Sequence, residues 1–448
     1  MKNILENKWT LPVILLAALF LRLIPAVSAI KAEDRLLRPD SGIYLNAAQE
    51  LVTVGSYPTT RRPPGYPAFA AIIYALGGKN SAVALTQVAI AVATCWIVAM
   101  TGREVSGKAC GNLAAGLMAV NLTAIANTPL LLSDTLFAFF IAGQFYFFVR
   151  YRRMKQLREV LLLALTAGFA TLIRPINQLM IVVIPVLIAM MTEIPWKKRC
   201  LHIAAAVITF AAVITPWMMR NYLAGATFAV DTNTGAMRHQ NGAMLLAKVN
   251  GTSYEFEKQK LRDAEAAELA DRQKYPDERS REQWRIKEFK QLVMKYPFTY
   301  FSQHFDIWIL LPDAPTLLEC CGWTTSDKGT MNVLKKDGIF AAIRHYFGKN
   351  WLSCISLLIP LLIPVMILYA ATAAKIMQYL RNIRSYWFEI FVLLGFAEYY
   401  LFLPGAITAP RYQLPALPCL CVTAALAIIE FLQNRNEHQI KNSAALEM

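Results

Sequence analysis

Apolar residues along the chain gather into long runs separated by short polar breaks. Ten of these runs, at about 9–30, 81–101, 109–127, 131–149, 158–173, 176–192, 200–217, 351–373, 387–404 and 413–432, approach the ~20 residues a helix needs to cross a bilayer. The spacing predicts an all-α polytopic membrane protein of about ten transmembrane helices. Two segments interrupt the pattern. In 31–80 the residues Ile43, Ala47, Ala48 and Leu51 recur at three- and four-residue intervals, which predicts a short amphipathic helix ended by Gly55. The stretch RRPPGYPAF at 61–69 follows, where prolines restrict the backbone and Gly65 permits a tight bend, and then a second short apolar helix through Leu76. The stretch 218–350 opens on the turn-rich DTNTGAMRHQNGAM, carries charged helices from about Tyr254 to Lys274 and Arg281 to Met294, and turns aromatic after Pro297. It reads as a mixed, helix-containing cap. The domains expected are a membrane core at 1–217 with an outer loop at 31–80, a cap at 218–350, a second helical block at 351–433 and a loose tail at 434–448.

Composition agrees with this division. Of 448 residues, 56% are hydrophobic and 17% charged, which excludes an ordinary soluble domain. The first run follows Lys2 and Lys8 without a cleavage signature and reads as a retained helix. Basic residues cluster at Arg150, Arg152, Arg153, Lys155 and Arg158, at Lys197 to Arg199, at Lys375, Arg381 and Arg384, and at Arg103 and Lys108. These four loops share one side if ten spans alternate, and the positive-inside bias makes that side the cytoplasm, with both termini on it. Topology and anionic head groups account for the formal charge of +15, so membrane lipids and not nucleic acid are the expected partners. Six of the eight cysteines lie in or beside apolar runs, and the adjacent Cys320 and Cys321 offer neither a clamp nor a metal-ligand spacing. His239, His304 and His345 are scattered, so no metal cluster is legible.

The unusual polar residues converge on the outer side. Asp40 follows the first run, Asp134 opens the fourth, Arg174 lies between the fifth and sixth, Arg220 and Asn221 follow the seventh, and Arg411 and Tyr412 precede the tenth. Arg61 and Arg62 lie in the first outer loop, with Tyr44 and Tyr66 on its two short helices, and Glu398 is in the outer half of the ninth run. Each has a plain reading: Asp40, Ser41, Ser133 and Asp134 as helix caps, the arginines as partners of lipid phosphate, and Glu398 bonded to a neighbouring tyrosine. As a set, two acids and several arginines at one depth suit a reaction that uses a base and discharges a phosphate. A transporter or flippase for a lipid-linked or anionic solute is the competing reading, since intramembrane ionisable groups also mark transport paths.

With these residues in place, the chain resembles the GT-C polyprenyl-phosphate-sugar transferases, specifically the bacterial members of glycosyltransferase family 39, which includes aminoarabinose and protein mannosyl transferases. The resemblance rests on PDSGIYLNAAQELVTVGSYPTTRRPPGYPAF, LLSDTLF, TLIRP, PWMMRNY and APRYQLPALP, in that order. It implies a polyprenyl-phosphate-linked sugar donor, with undecaprenyl as the carrier, inverting transfer to a lipid, glycan or protein acceptor, and a site facing outward from the bacterial cytoplasmic membrane. It implies Asp40 as the group activating the acceptor, Asp134 as a second supporting acid, and Arg62 as a ligand of the donor phosphate. Tyr44, Arg61, Tyr66, Arg174, Arg220, Asn221, Glu398, Arg411 and Tyr412 are the further substrate-binding candidates. Aminoarabinose-transferring relatives place an acid where this chain has Arg61, so the sugar stays open. Some GT-C relatives use a divalent metal, so the resemblance leaves a metal possible and none firmly expected.

Overall fold

The computed structural model describes residues 2–323, 330–405 and 407–446, and every regular element among them is helical. Among the described residues, five helices have the length and apolar composition to cross a membrane: Thr10–Ile30, Asn80–Ala119, Trp196–Leu223, Ile339–Arg381 and Leu417–Arg435. All ten apolar runs are helical, yet several depart from simple spans. Leu157–Ile173 has 17 residues and Met180–Met190 has 11, short of the ~20 that a perpendicular crossing needs. The run at 387–404 is divided into an α-helix to Leu393, a π-helical turn Leu394–Glu398 and a last α-helical turn Tyr399–Phe402. The tail expected to be loose continues the last helix as far as Leu446, and residues 447–448 lie outside the described residues.

We number the principal helices α1 (Thr10–Ile30), α2 (Ser41–Thr53), α3 (Gly65–Ala75), α4 (Asn80–Ala119), α5 (Asp134–Met154), α6 (Leu157–Ile173), α7 (Met180–Met190), α8 (Trp196–Leu223), α9 (Tyr254–Glu268), α10 (Glu278–Lys295), α11 (Trp351–Arg381), α12 (Ile383–Leu393) and α13 (Leu417–Leu446). Helix α4 is the hub, packed against α1, α5 and α13, while α6 joins α5 to α8 and α11 closes on α13. The second apolar run and the third as far as Ala119 lie in α4, and the third ends in a separate short helix, Leu122–Asn127. The helical geometry of α4 breaks at Ser106 and Gly107, where Gly107 has φ +80°. There the chain folds back until Gly102 faces Gly111. A Cβ on Gly111 would lie 2.3 Å from the Ala99 carbonyl oxygen, so small residues set this helix contact.

The polar anchor of the core is Arg22, which the sequence reading passed over. It is fully buried on α1 and donates to the carbonyls of Met118 (3.0 Å) and Ala119 (2.8 Å) at the C-terminal end of α4, and to Ala18 (3.2 Å). The last carbonyls of a helix have no intrahelical partner, and a cation there also meets the negative end of the helix dipole. Substituting Arg22→Met is expected to lower the thermal midpoint of the detergent-solubilised protein, since each buried carbonyl left unpaired costs about 1–3 kcal/mol. An unchanged midpoint would show that these contacts contribute nothing net.

The first outer loop folds as expected from its pattern, with one displacement. Ala47 and Ala48 of α2 are buried, but Ile43 is 46% exposed and Tyr44 takes the inward position. Tyr44 packs edge-on against Tyr66 of α3 (5.2 Å between ring centroids), and the Tyr66 hydroxyl donates to Gln87 of α4 (2.8 Å). Gln87 in turn donates to the carbonyls of Thr128 (2.9 Å) and Leu130 (2.6 Å) just before α5. This chain of bonds fixes the loop that carries Asp40 to the helix that carries Asp134.

Candidate active site

Asp40 and Ser133 stand at the N-cap positions of α2 and α5, and neither side chain makes a capping hydrogen bond. Both are turned to arginines. Arg62 Nη2 lies 3.4 Å from Asp40 Oδ1, and Arg411 Nη2 lies 3.8 Å from Asp40 Oδ2. Arg174 grips Asp134 with two nitrogens, Nη1 at 2.9 Å from Oδ1 and Nη2 at 3.2 Å from Oδ2, while its Nε donates to the Ser133 hydroxyl at 3.0 Å. Arg411 Nε is 4.0 Å from Asp134 Oδ2, so one guanidinium spans both acids. The Arg174 and Arg411 guanidinium groups also lie 5.5 Å and 5.3 Å from the Tyr412 ring centroid, a cation–π arrangement that holds them without neutralising them.

The two carboxylates differ in access. Asp134 is 2% exposed, whereas the Asp40 side chain is 40% exposed and opens into a cavity of about 440 Å³. Asp40, Tyr44, Arg62, Arg174 and Tyr412 form part of its wall. Asp134 and Arg411 join the cluster through their ion pairs and are not wall residues. The position between the two acids is taken by Arg411, so they do not present an open carboxylate pair to a divalent cation. Among the described residues no group of three or more His, Cys, Asp or Glu is placed to hold a metal ion.

Other candidates lie elsewhere. Arg220 does not line the cavity: it donates to the carbonyls of Tyr57 and Thr59 (3.0 Å to Thr59) and stacks over Trp217. Asn221 donates to the Ala229 carbonyl (2.9 Å). These two residues tie the first outer loop and the cap to the end of α8. Arg61 points away, 3.9 Å from Glu278 of α10. Tyr66 is fully buried against Tyr44 and does not line the cavity. Glu398 borders a separate apolar groove of about 690 Å³ together with Val183, Leu187, Leu394, Tyr399 and Phe402. The Tyr399 hydroxyl bonds the Ile176 carbonyl, and Ile176 and Tyr400 line the cavity, so one layer of side chains separates groove from cavity. His304 bonds the Phe402 carbonyl and stacks on its ring, which gives it a structural partner.

The sequence reading missed the cap's share of the wall. Asn233, Ala236, Gln240, Asn241 and Tyr254 all face the cavity. A π-helical turn at Met237–Gly242 presents two of them. The opposite side of that turn is pinned to Glu265 of α9, which lies 2.7 Å from His239 Nε2 and 3.4 Å from Arg238 Nη1, and also meets Arg285 of α10 at 2.8 Å. Burial alone would push the Glu265 carboxyl up, but hydrogen bonds from His239 and Arg285 outweigh it and hold the group at about 2 against an ordinary 4.5. A depressed carboxylate contributes stability that is complete above its unfolded value and is lost as pH falls through the folded one. Glu265→Gln is therefore expected to lower the thermal midpoint at neutral pH and to flatten its decline between about pH 4.5 and 2; parallel pH curves for the two proteins would contradict this. Nearby Asp231 behaves oppositely, its carboxyl pushed up to about 6 by burial despite the Asn233 backbone N–H it accepts at 2.6 Å.

With this geometry in view, comparison with solved structures defines the fold. The chain superimposes on the archaeal oligosaccharyltransferase AglB from Archaeoglobus fulgidus, solved with an inhibitory peptide and a dolichol-phosphate, with a TM-score of 0.52 and 14% identity over 97% of this chain and 51% of that one. The apo form of the Archaeoglobus fulgidus oligosaccharyltransferase matches with a TM-score of 0.54 and 16% identity over 98% of this chain and 52% of that one. The same archaeal enzyme in complex with Zn and sulfate matches with a TM-score of 0.51 and 13% identity over 97% and 51%. The protein thus has the GT-C membrane fold, and spans about half the length of these solved relatives. Residues 61–219, from Arg61 through Met219, match the family of dolichyl-phosphate-mannose-protein mannosyltransferases. No curated protein matches the chain in sequence.

Proposed function

We propose that the protein transfers a sugar from a polyprenyl phosphate to a hydroxyl of a lipid, glycan or protein acceptor, on the outer side of a bacterial cytoplasmic membrane, with undecaprenyl as the carrier. The observation that carries this reading is one accessible acid, Asp40, on the wall of a single cavity with Arg62 and Arg174, and with Arg411 bridging Asp40 to Asp134 just behind that wall. Asp40 accepts the proton of the acceptor hydroxyl as its oxygen attacks the anomeric carbon. The bond to the phosphate oxygen breaks on the opposite face, and the electron pair leaves with the phosphate. In-line displacement inverts the anomeric configuration. The leaving phosphate gains charge, and guanidinium groups already oriented by Asp134, Ser133 and Tyr412 stabilise it without reorganising. The reading needs no metal, because Arg411 stands where a bridging cation would neutralise the acids.

The charge balance supports a lipid phosphodiester. Three arginines and two aspartates leave a net single positive charge, which complements the one negative charge of a sugar phosphodiester; the monoester product carries about −1.5 to −2. The neighbouring apolar groove offers a place for the prenyl chain beside the cavity. Mass spectrometry of envelope lipids, glycans and exported proteins from wild-type and gene-deleted strains tests the proposal. One sugar-sized mass increment is expected to disappear in the deletion. Loss of the increment with the lipid-linked sugar stranded in the inner leaflet would replace transfer with flipping.

A further inference from the structure

The cavity has two chemically different halves. One holds the aspartates and arginines. The other, supplied by the cap, holds the carboxamides of Asn233, Gln240 and Asn241, and none of these side chains has a hydrogen-bond partner among the described residues. An unpaired carboxamide in a wall offers both donors and an acceptor to whatever enters.

The local backbone explains why two adjacent residues share this wall. In an α-helix with 3.6 residues per turn, positions four and five beyond Ala236 would diverge around the axis. The π-helical turn at Met237–Gly242 holds more than four residues per turn, so Ala236, Gln240 and Asn241 face the same way. Arg238 and His239 project to the other side, into the Glu265 cluster; Arg238 also donates to the Leu261 carbonyl at 2.6 Å and lies over Trp284. Those contacts hold the widened turn in register, with both carboxamide side chains leaving it on the cavity side.

The charged groups near this half are already committed. Asp231 is turned to the Asn233 backbone and is not a wall residue, and Arg61 lies toward Glu278. Asp40 faces Arg62 and Arg411, so no unpaired carboxylate awaits an ammonium group. Within the transfer reading on which this inference rests, we propose that Asn233, Gln240 and Asn241 are specificity-determining residues that hydrogen-bond the hydroxyl or acetamido groups of an uncharged sugar, and that the cap thereby selects against amino sugars and uronic acids.

Calorimetric titration of the full detergent-solubilised chain tests this. The probes are a short-chain prenyl phosphate, either bare or carrying each of glucose, mannose, galactose and N-acetylglucosamine, and the same carrier bearing glucosamine or glucuronic acid. At least one uncharged sugar is expected to bind about tenfold or more tightly than both charged ones, and the Gln240→Ala, Asn241→Ala double variant to lose about 10- to 100-fold of that affinity, as expected for a few lost hydrogen bonds. Its affinity for the bare prenyl phosphate should be unchanged, which also reports that the variant is folded. Equal or tighter binding of a charged sugar, or unaltered binding by the double variant, would overturn the carboxamide assignment while leaving the phosphate site standing. Failure of every probe, the bare phosphate included, would remove the transfer reading itself.

Discussion

Asp40→Asn is expected to reduce sugar transfer by about 10²- to 10⁴-fold, the usual contribution of a positioned general base. The asparagine keeps the shape of the side chain and one oxygen for Arg62, so folding and donor binding should survive. The check has two parts. Transfer is measured with purified protein and the donor identified from deletion strains, and thermal stability and prenyl-phosphate binding are measured on the same preparation. Lost transfer with retained binding is the signature of a missing base. Wild-type turnover by the purified variant would sink that role for Asp40, and the 40% exposure of its side chain would then mark it only as a partner of two arginines.

Asp134→Ala has a different expected signature. Asp134 is buried, and its removal strands Arg174, which makes both of its closest charge contacts to that carboxylate, and withdraws the second acid facing Arg411. Breaking a buried ion pair by deleting one partner typically costs about 3–5 kcal/mol. The variant should therefore melt well below the wild type and transfer poorly, and Asp134→Asn should recover much of the stability because the amide oxygen still accepts from Arg174. Comparison of melting curves for the two variants decides the matter. If both melt like the wild type, Asp134 does not organise the arginines and acts on substrate directly.

The contrast between these acids shows what could be read from the chain. Both were visible as acids at the outer ends of apolar runs, because the apolar period and the basic loops set the expected depth of each position. Their division of labour was invisible, since it depends on Arg174 reaching back across the turn after α6 and Arg411 arriving from a distant segment. Arg220 gave the same sequence signal as Arg174, an arginine at the end of an apolar run, yet its partners are the carbonyls of Tyr57 and Thr59. No local pattern distinguishes an arginine that binds backbone from one that lines a cavity. The ten apolar runs correctly announced helices but not their lengths or the break at Gly107, which depends on how closely Gly102 and Gly111 approach. The carboxamide wall was hidden for a further reason. DTNTGAMRHQNGAM has the composition of a turn, and contacts from α9 and α10, at Glu265, Leu261 and Trp284, hold its centre as a widened helix.

The hold of Arg220 on the first outer loop has a mechanical side. Helix α8 has 28 residues and at ~1.5 Å per residue forms a rod about 42 Å long. Its outer end is bonded to the very loop in which Arg62 sits, while Asp40 is fixed through Tyr44, Tyr66 and Gln87 to α4. Arg62 lies between the two attachments, after the Tyr57 and Thr59 carbonyls held by Arg220 and before Tyr66 held by Gln87, so α8 and α4 both position it. Long helices answer a change in bilayer thickness by tilting, and a tilt of α8 relative to α4 would be borne by the segment between Tyr57 and Tyr66. The segment that carries Arg62 is thus a strap between two long helices, anchored at both ends.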